Sequence, residues 1–371
     1  MTFSFEGIYM KAAVLYKPNT PLIVEELNLS SPKPGEVKVR MAAAGVCASA
    51  HHWMTGDAHG PMPIVLGHEG AAVVEEVGQG VTRVKPGDRC ILSFVSSCGY
   101  CRLCRTGSPQ LCDTAGITGA TLFDGTTRLS KGETSVYQMA KVGVFSEMGV
   151  VPEQACHKMP DAVPFEVAAL IGCSVTTGVG AVINNPASRP GSTVAVFGCG
   201  GVGLNVIQGA KLMGASRIIA VDIYNHKLEF TYKFGATDVI NSKEVDAVEE
   251  IKNMTRGGVD LAFDSFGSAI TTSAAVESLR KNGTAVLVGL APVGAEVPIN
   301  MVELVRSQKT LIGSYYGSAS SHETFDKLID WYLKGRLSID ELITRRYAID
   351  EINEGFDALS RGEDGRGVII F

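Results

Sequence analysis

Residues 192–203 read STVAVFGCGGVG: a short apolar run, rich in valine, that enters a turn with glycine at Gly198, Gly200, Gly201 and Gly203. The turn has the form G-x-G-x-x-G. It follows a predicted strand and opens a predicted helix from Gly201 to Met213. Glycines at these positions permit a tight turn and let the backbone approach a pyrophosphate. The helix N-terminus then offers free N–H groups and the positive end of its dipole to that anion. The competing reading is a glycine-rich turn with an aspartate helix cap. Context favours the dinucleotide. Asp222 stands nineteen residues beyond Gly203, at the end of the next predicted strand, RIIAVD. A carboxylate there accepts from the adenosine ribose hydroxyls and repels a 2′-phosphate, so NAD is expected over NADP.

Outward toward the C-terminus, strand-like and helical runs alternate. Helices are predicted over 225–234, 244–254 and 268–281, and strands in ATDVINS, VDLAFDSFG, NGTAVLVG and KTLIGSY. About six strands in such alternation imply a doubly wound parallel sheet with right-handed crossovers. Toward the N-terminus the texture differs. From residue 10 to about 172, short apolar runs (KAAVLY, LIVEEL, EVKVRMAAAGV, EGAAVVEEVG, PGDRCILSF) are separated by Gly/Pro turns. They read as a β-rich, barrel-like domain. The mixed segments after Gly317 are expected to rejoin that domain.

The chain has 371 residues, 45% apolar and 19% charged, which excludes intrinsic disorder. A net charge of −6 with no polybasic run gives nucleic acid no electrostatic reason to bind. The most apolar stretch found, 194–221, is broken by six glycines and carries Lys211 and Arg217, so no membrane span is expected. The opening MTFSFEGIYMKAAV lacks a basic region followed by an apolar run. The expectation is a cytoplasmic protein whose nine cysteines are thiols or metal ligands.

Two groups of those cysteines suggest metal. Cys98, Cys101, Cys104 and Cys112 form C-x2-C-x2-C-x7-C, which can wrap one tetrahedral Zn²⁺ with no open position. A redox C-x-x-C and an iron–sulfur cluster are the alternatives. The second group is dispersed: Cys47 in GVCASAHHW, His68 and Glu69 in GHEG, and Cys173 in IGCSVTTG. Two thiolates and one imidazole leave a fourth position open, as a catalytic zinc requires. Core packing is the competing reading for each alone. Cys90, Cys156 and Cys199 show no partner pattern and read as core.

With GVC, GHEG followed by VVEEVG, VKPGDR, the four-cysteine lobe, IGC…TTG and GCGGVG in that order, the sequence resembles the zinc-dependent medium-chain alcohol dehydrogenases. The likeness runs from KAAV to Arg366, and the long segment 113–133 resembles the liver- and class III-like branch. It implies an α/β protein with two domains and a cleft joining them. The first is a GroES-like catalytic domain of residues 1–172 and 316–371, with a zinc lobe at about 96–113. The second is a Rossmann NAD-binding domain of residues 173–315.

The resemblance further implies two Zn²⁺ per chain and NAD(H). Cys47, His68 and Cys173 would hold the catalytic zinc, with Glu69 beside it. Ser49 would bond the alcohol oxygen and His52 pass its proton toward solvent. Asp222 and Lys227 would hold the adenosine ribose, and Arg366 would meet the pyrophosphate. Thr177, Val202 and Val288 would shape the nicotinamide pocket. Trp53, Phe94, Ile117, Met139, Ala140, Tyr315 and Tyr316 would line or rim the substrate pocket. That lining suits a medium apolar or aromatic alcohol, and no basic handle for an acidic substrate is evident. Gly116 stands where the glutathione-adduct branch has arginine, which argues against S-hydroxymethylglutathione.

Two positions depart from the pattern. Ala48 replaces a pyrophosphate-binding Arg or His. Ala50 replaces the Asp that orients the zinc-bound histidine, with His51 a candidate substitute. These departures keep open a related reductase acting on an imine or activated C=C, and a non-catalytic NAD- and zinc-binding homologue. The expected partner is a small alcohol or aldehyde, and the expected assembly a homodimer or homotetramer.

Overall fold

The computed structural model describes residues 8–114, 119–363 and 365–371. The chain divides into two compact units. One comprises the residues up to Cys173 with Ser320–Leu333 and Ile339–Phe371; the other comprises Ser174–Ala319 with Lys334–Ser338. Gly116 and Ile117 lie outside the described residues.

The second unit is built on six parallel strands: Thr193–Phe197, Arg217–Asp222, Asp238–Asn241, Val259–Asp264, Leu279–Leu287 and Thr310–Gly313. Numbered in chain order, they lie 3-2-1-4-5-6 across the sheet. Val194, Ala195 and Val196 on the first strand are all fully buried. A strand covered on both faces needs such a continuous apolar run. The glycine turn thus opens where the strand order reverses, at the sheet's switch point. The helix over Gly201–Met213 ends on Gly214 in the left-handed region, φ +83°. Two other helices differ from expectation. One starts at Ala247 rather than 244, because the Asp246 carboxylate accepts from the amides of Val248 and Glu249. Another, Ala269–Glu277, stops short of 281 because Leu279 already pairs with Val259 in the sheet.

The first unit combines a closed barrel with a second sheet. The barrel strands are Ile8–Leu15, Ile23–Leu29, Leu129–Lys131, Thr134–Gln138 and Ile64–Val65. The sheet runs Cys156–Lys158, Arg89–Leu92, Gly70–Val77, Glu36–Gly45, Arg366–Ile370 and Ile343–Tyr347, with Met148–Pro152 also paired to Glu36–Gly45. Gly45 pairs with Val368, so a strand from the far end of the chain lies two residues from Cys47.

The chain passes between the units inside one helical stretch, Phe165–Ile183. By length and composition it is apolar enough to cross a membrane, which the sequence reading overlooked. Within the protein, 83% of that window is buried, the pattern of a core helix.

Candidate active site

The strand Glu36–Gly45 delivers Cys47 as the N-cap of the helix Ala48–Thr55. His68 and Glu69 precede the neighbouring strand, Gly70–Val77. The Gly45 amide donates to the Glu69 carbonyl at 2.9 Å and fixes the two segments together. Gly45 leaves room for the Glu69 carboxylate, since a Cβ there would stand 2.2 Å from Oε2. Cys173 lies in a π-helical turn, Ile171–Val175, of the apolar helical stretch. Such one-residue expansions re-aim side chains and recur at functional sites.

These elements bring one donor atom each from Cys47, His68, Glu69 and Cys173 within 4.8 Å of one another, and all four residues are buried. Tetrahedral zinc, with bonds of about 2.0–2.3 Å, needs its donors about 3.3–3.8 Å apart. The donor set suits a zinc ion, and a cluster already held within 4.8 Å leaves little to close. The protonation of the set supports this. The Cys173 thiol bonded to Cys47, together with the His68 imidazole, holds Cys47 well below the ordinary thiol range despite burial. Its hydrogen bond to Cys47, together with burial, pushes Cys173 well up. Burial opposes the charged form of His68, yet the Cys47 thiolate outweighs it and the imidazole is raised. A thiol must lose its proton to ligate a metal, so metal binding to this set releases protons.

Glu69 is fully buried, and the Arg366 guanidinium, 5% exposed, donates to its Oε2. Burial raises the Glu69 carboxyl to about 7 against the pull of Arg366. The residue assigned by resemblance to the pyrophosphate thus sits against the candidate metal centre. Three polar atoms here are buried without a partner among the described residues: His68 Nδ1, Glu69 Oε1 and Arg366 Nε.

Around the cluster, Phe94 meets the His68 ring edge-on at 5.2 Å. The Ser49 hydroxyl lies 3.9 Å from Cys47 Sγ. His52 Nδ1 is 3.4 Å from Asp57 Oδ2, and its side chain is 30% exposed. That carboxylate also accepts from Thr55 at 2.7 Å. His51 stacks on Phe356 at 6.0 Å and gives His68 no support, because His68 Nδ1 has no partner among the described residues. Trp53, Met139 and Ala140 are buried in one apolar cluster against which Phe94 packs. Tyr315 and Tyr316 belong to the second unit, where Tyr316 is 2% exposed.

The four remaining candidate ligands form a self-contained lobe. Sγ of Cys98, Cys101, Cys104 and Cys112 all lie within 4.8 Å of one another. The amides of Cys101, Cys104 and Cys98 donate to the sulfurs of Cys98, Cys101 and Cys112, at 3.3, 3.5 and 3.3 Å. Amides aimed at sulfur favour thiolates, and four thiolates in this spacing suit a closed zinc site.

The second unit carries the glycine turn. Gly198 has φ +88°, and Gly200 caps the helix with no side-chain cap on its first amides. A Cβ on Gly200 would meet nothing within 4 Å, whereas one on Gly203 would lie 1.9 Å from the Gly198 carbonyl. Open space before free helix amides fits a pyrophosphate. Asp222 is aimed by the backbone: Oδ2 accepts from the Cys199 amide at 2.8 Å, and Oδ1 from Ile223 at 2.7 Å and Tyr224 at 3.2 Å. Lys227 Nζ stands 5.2 Å from the centre of the Tyr224 ring. Thr177, Val202 and Val288 lie in the same unit, with Val288 8% exposed.

Two family models match the chain: the alcohol dehydrogenase GroES-like domain over residues 33–161, and the zinc-binding dehydrogenase over residues 201–334. The chain is 40% identical to an alcohol dehydrogenase class-3 of Cereibacter sphaeroides, over 97% of this chain and 99% of that one. It is 39% identical to an S-(hydroxymethyl)glutathione dehydrogenase of Paracoccus denitrificans, with the same coverage. The solved structure of benzyl alcohol dehydrogenase from Acinetobacter calcoaceticus superposes with a TM-score of 0.93 at 32% identity, covering 98% of this chain and 99% of that one.

Proposed function

The chain belongs to the zinc-dependent medium-chain alcohol dehydrogenases, and from that premise we propose that it interconverts a medium-sized apolar or aromatic alcohol and its carbonyl compound with NAD(H). The observation that carries this reading is the buried Cys47–His68–Glu69–Cys173 donor set, edged by Phe94. When bound, zinc supplies a Lewis acid that makes an alcohol hydroxyl acidic near neutral pH, and NAD⁺ supplies the hydride acceptor. Cys47, His68 and Cys173 hold the metal, while Glu69, tied to Arg366, stands as a reserve carboxylate. Ser49 takes the substrate hydroxyl proton through its Oγ. His52, partly exposed and bonded to Asp57, hands it to water. Asp222, its carboxylate fixed by three amides, favours NAD over NADP.

One relative named above is an S-(hydroxymethyl)glutathione dehydrogenase, but Gly116 stands where the resemblance places an arginine in that branch, and S-hydroxymethylglutathione is not the substrate in this reading. The edge strand Thr310–Gly313 and the helix Met301–Arg306 beside it, with Met301, Val302 and Val305 at 78%, 60% and 73% exposure, support a homodimer through that edge. Nine free cysteines are consistent with a cytoplasmic setting.

The test is a panel of alcohols and aldehydes with NAD(H) and then NADP(H), read by nicotinamide absorbance alongside zinc content. Turnover of benzyl-type alcohols with NAD⁺ and two zincs per chain is the expected result. Zinc-loaded protein that reduces only imines or activated alkenes refutes the reading.

A further inference from the structure

The helix that opens on the glycine turn, Gly201–Met213, carries two amide side chains on its inner face. Asn205 and Gln208 stand three residues apart, 0% and 4% exposed, among the buried Leu204, Val206 and Ile207. Asparagine is a poor helix former, and an amide taken out of water costs free energy unless it is bonded. Here the bonds form one line. The Ser338 amide donates to Gln208 Oε1 at 2.7 Å. Gln208 Nε2 donates to Asn205 Oδ1 at 3.2 Å and also reaches the Ser338 carbonyl at 3.4 Å. Asn205 Nδ2 donates to the Gly201 carbonyl at 2.8 Å. Gly201 is the first residue of the helix and the third glycine of the turn.

The Gly201 carbonyl belongs to the same peptide unit as the Val202 amide. That amide lies in the first turn of the helix, where no intrahelical acceptor exists, and among the described residues it donates to nothing. It therefore ends the line. From the Ser338 amide to the Val202 amide, every oxygen accepts from the group behind and every nitrogen donates ahead. Asn205 Nδ2 donates four residues back, as a helical amide does, so its dipole adds to that of the helix, with the positive end toward the turn. Hydrogen bonds in series polarise one another by about 10–30% per bond, and they are stronger away from water. Packing keeps water out. A Cβ on Gly178, in the helix Thr176–Ile183, would lie 2.6 Å from Asn205 Cβ and 2.5 Å from the Val202 carbonyl. The outer end faces the open space at Gly200, where a Cβ would meet nothing within 4 Å.

We infer that Asn205 and Gln208 are positioning residues for the dinucleotide: their side-chain amides hold the Gly201 peptide in place and polarise the Val202 N–H toward the pyrophosphate. This rests on the reading of the glycine turn as the NAD(H) site. It adds a buried support to a site otherwise read from its glycines and Asp222, and it makes the backbone at Ser338 part of the hold on the coenzyme.

The experiment measures dissociation constants for NADH, ADP-ribose and adenosine, with thermal melts in parallel. Adenosine lacks the pyrophosphate but keeps the ribose that Asp222 would hold. Gln208→Met preserves side-chain length, and Asn205→Ala adds no bulk against Gly178. Both are expected to weaken NADH and ADP-ribose by about two- to fivefold, the share of a charged hydrogen bond that polarisation in series supplies, with adenosine unchanged. Asn205→Ser, whose hydroxyl can donate to the carbonyl four residues back, regains part of the loss. Unchanged ADP-ribose affinity in both variants overturns the inference, whether or not the melting temperature falls. An equal loss for adenosine also overturns it, by marking a helix merely loosened. Wild-type protein that binds neither NADH nor ADP-ribose overturns the dinucleotide reading itself, and is thereby distinguished from failure of the amide line alone.

Discussion

Replacing Ala50 by aspartate probes the least supported part of the metal centre. His68 is 3% exposed and its Nδ1 has no hydrogen-bond partner among the described residues. Ala50 is fully buried in the helix that begins at Cys47, and it stands where the family resemblance would place a carboxylate for that nitrogen. A buried donor left unpaired costs about 1–3 kcal/mol. Outer carboxylates on zinc-bound histidines are worth about 10–100-fold in metal affinity, which is about 1.4–2.7 kcal/mol. The two ranges agree, so Ala50→Asp is expected to slow zinc loss from the buried site by about 10–100-fold. The assay is transfer of zinc to a chromogenic chelator, followed as two kinetic phases. The phase from the four-cysteine lobe serves as internal control and keeps its rate. The melting temperature is measured in parallel. A new carboxylate that finds His68 offsets its own desolvation; one that does not is a buried, unpaired charge and lowers the melting temperature by several degrees. An unchanged slow phase together with a lowered melting temperature refutes the reasoning and removes residue 50 from the neighbourhood of His68.

Cys104→Ser is expected to release one zinc per chain and to lower the melting temperature, whereas Cys173→Ser abolishes turnover with the fold largely kept; elemental analysis and thermal melts check both. Asp222→Gly should weaken NAD⁺ and improve NADP⁺, and because it also strips acceptors from three amides it should cost about 1–3 kcal/mol of stability; a wild type that already prefers NADP⁺ contradicts this. The pair His157–His322, joined Nδ1 to Nδ1 at 2.9 Å, gives a pH dependence. Burial, then the neighbouring His157 and Arg83, push His322 down to about 4 from an ordinary 6.5. A depressed histidine favours the neutral form in the fold, so its contribution is complete above about pH 6.5 and is lost as pH falls toward 4. The loss is at most about 3 kcal/mol. Denaturant melts from pH 7.5 to 4.5 should show it, and His322→Gln should flatten it.

What the sequence revealed follows the range of each signal. The glycine turn, Asp222 and the four-cysteine lobe are readable because their determinants lie within a few to twenty residues of one another. Cys47, His68 and Cys173 are legible as a zinc set from their chemistry, but their assignment to one site leans on the resemblance, since three separate segments carry them. The pairing of Arg366 with Glu69 has no local sign; a strand from the far end of the chain creates it. The line of amides through Asn205 and Gln208 was invisible for a different reason. Such residues in a helix ordinarily denote its solvent face, and the Ser338 backbone that engages Gln208 lies 130 residues away. Helix limits were misjudged where one residue outranked periodicity, as Asp246 does by capping.

Because the Arg366–Ile370 strand closes onto Gly45, the candidate metal centre is assembled from both ends of the polypeptide. Glu69 and Arg366 are 297 residues apart. At about 5–20 residues per second, roughly 15–60 s of synthesis separates them. During that interval the second unit is made and can fold on its own local contacts, while Glu69 waits without its guanidinium. Cys47, His68 and Cys173 are all translated well before Arg366, so the ligand set is complete before the guanidinium that pairs with Glu69. The last strand therefore supplies the final charge of the cluster, and a chain stalled before residue 366 leaves Glu69 without its cation.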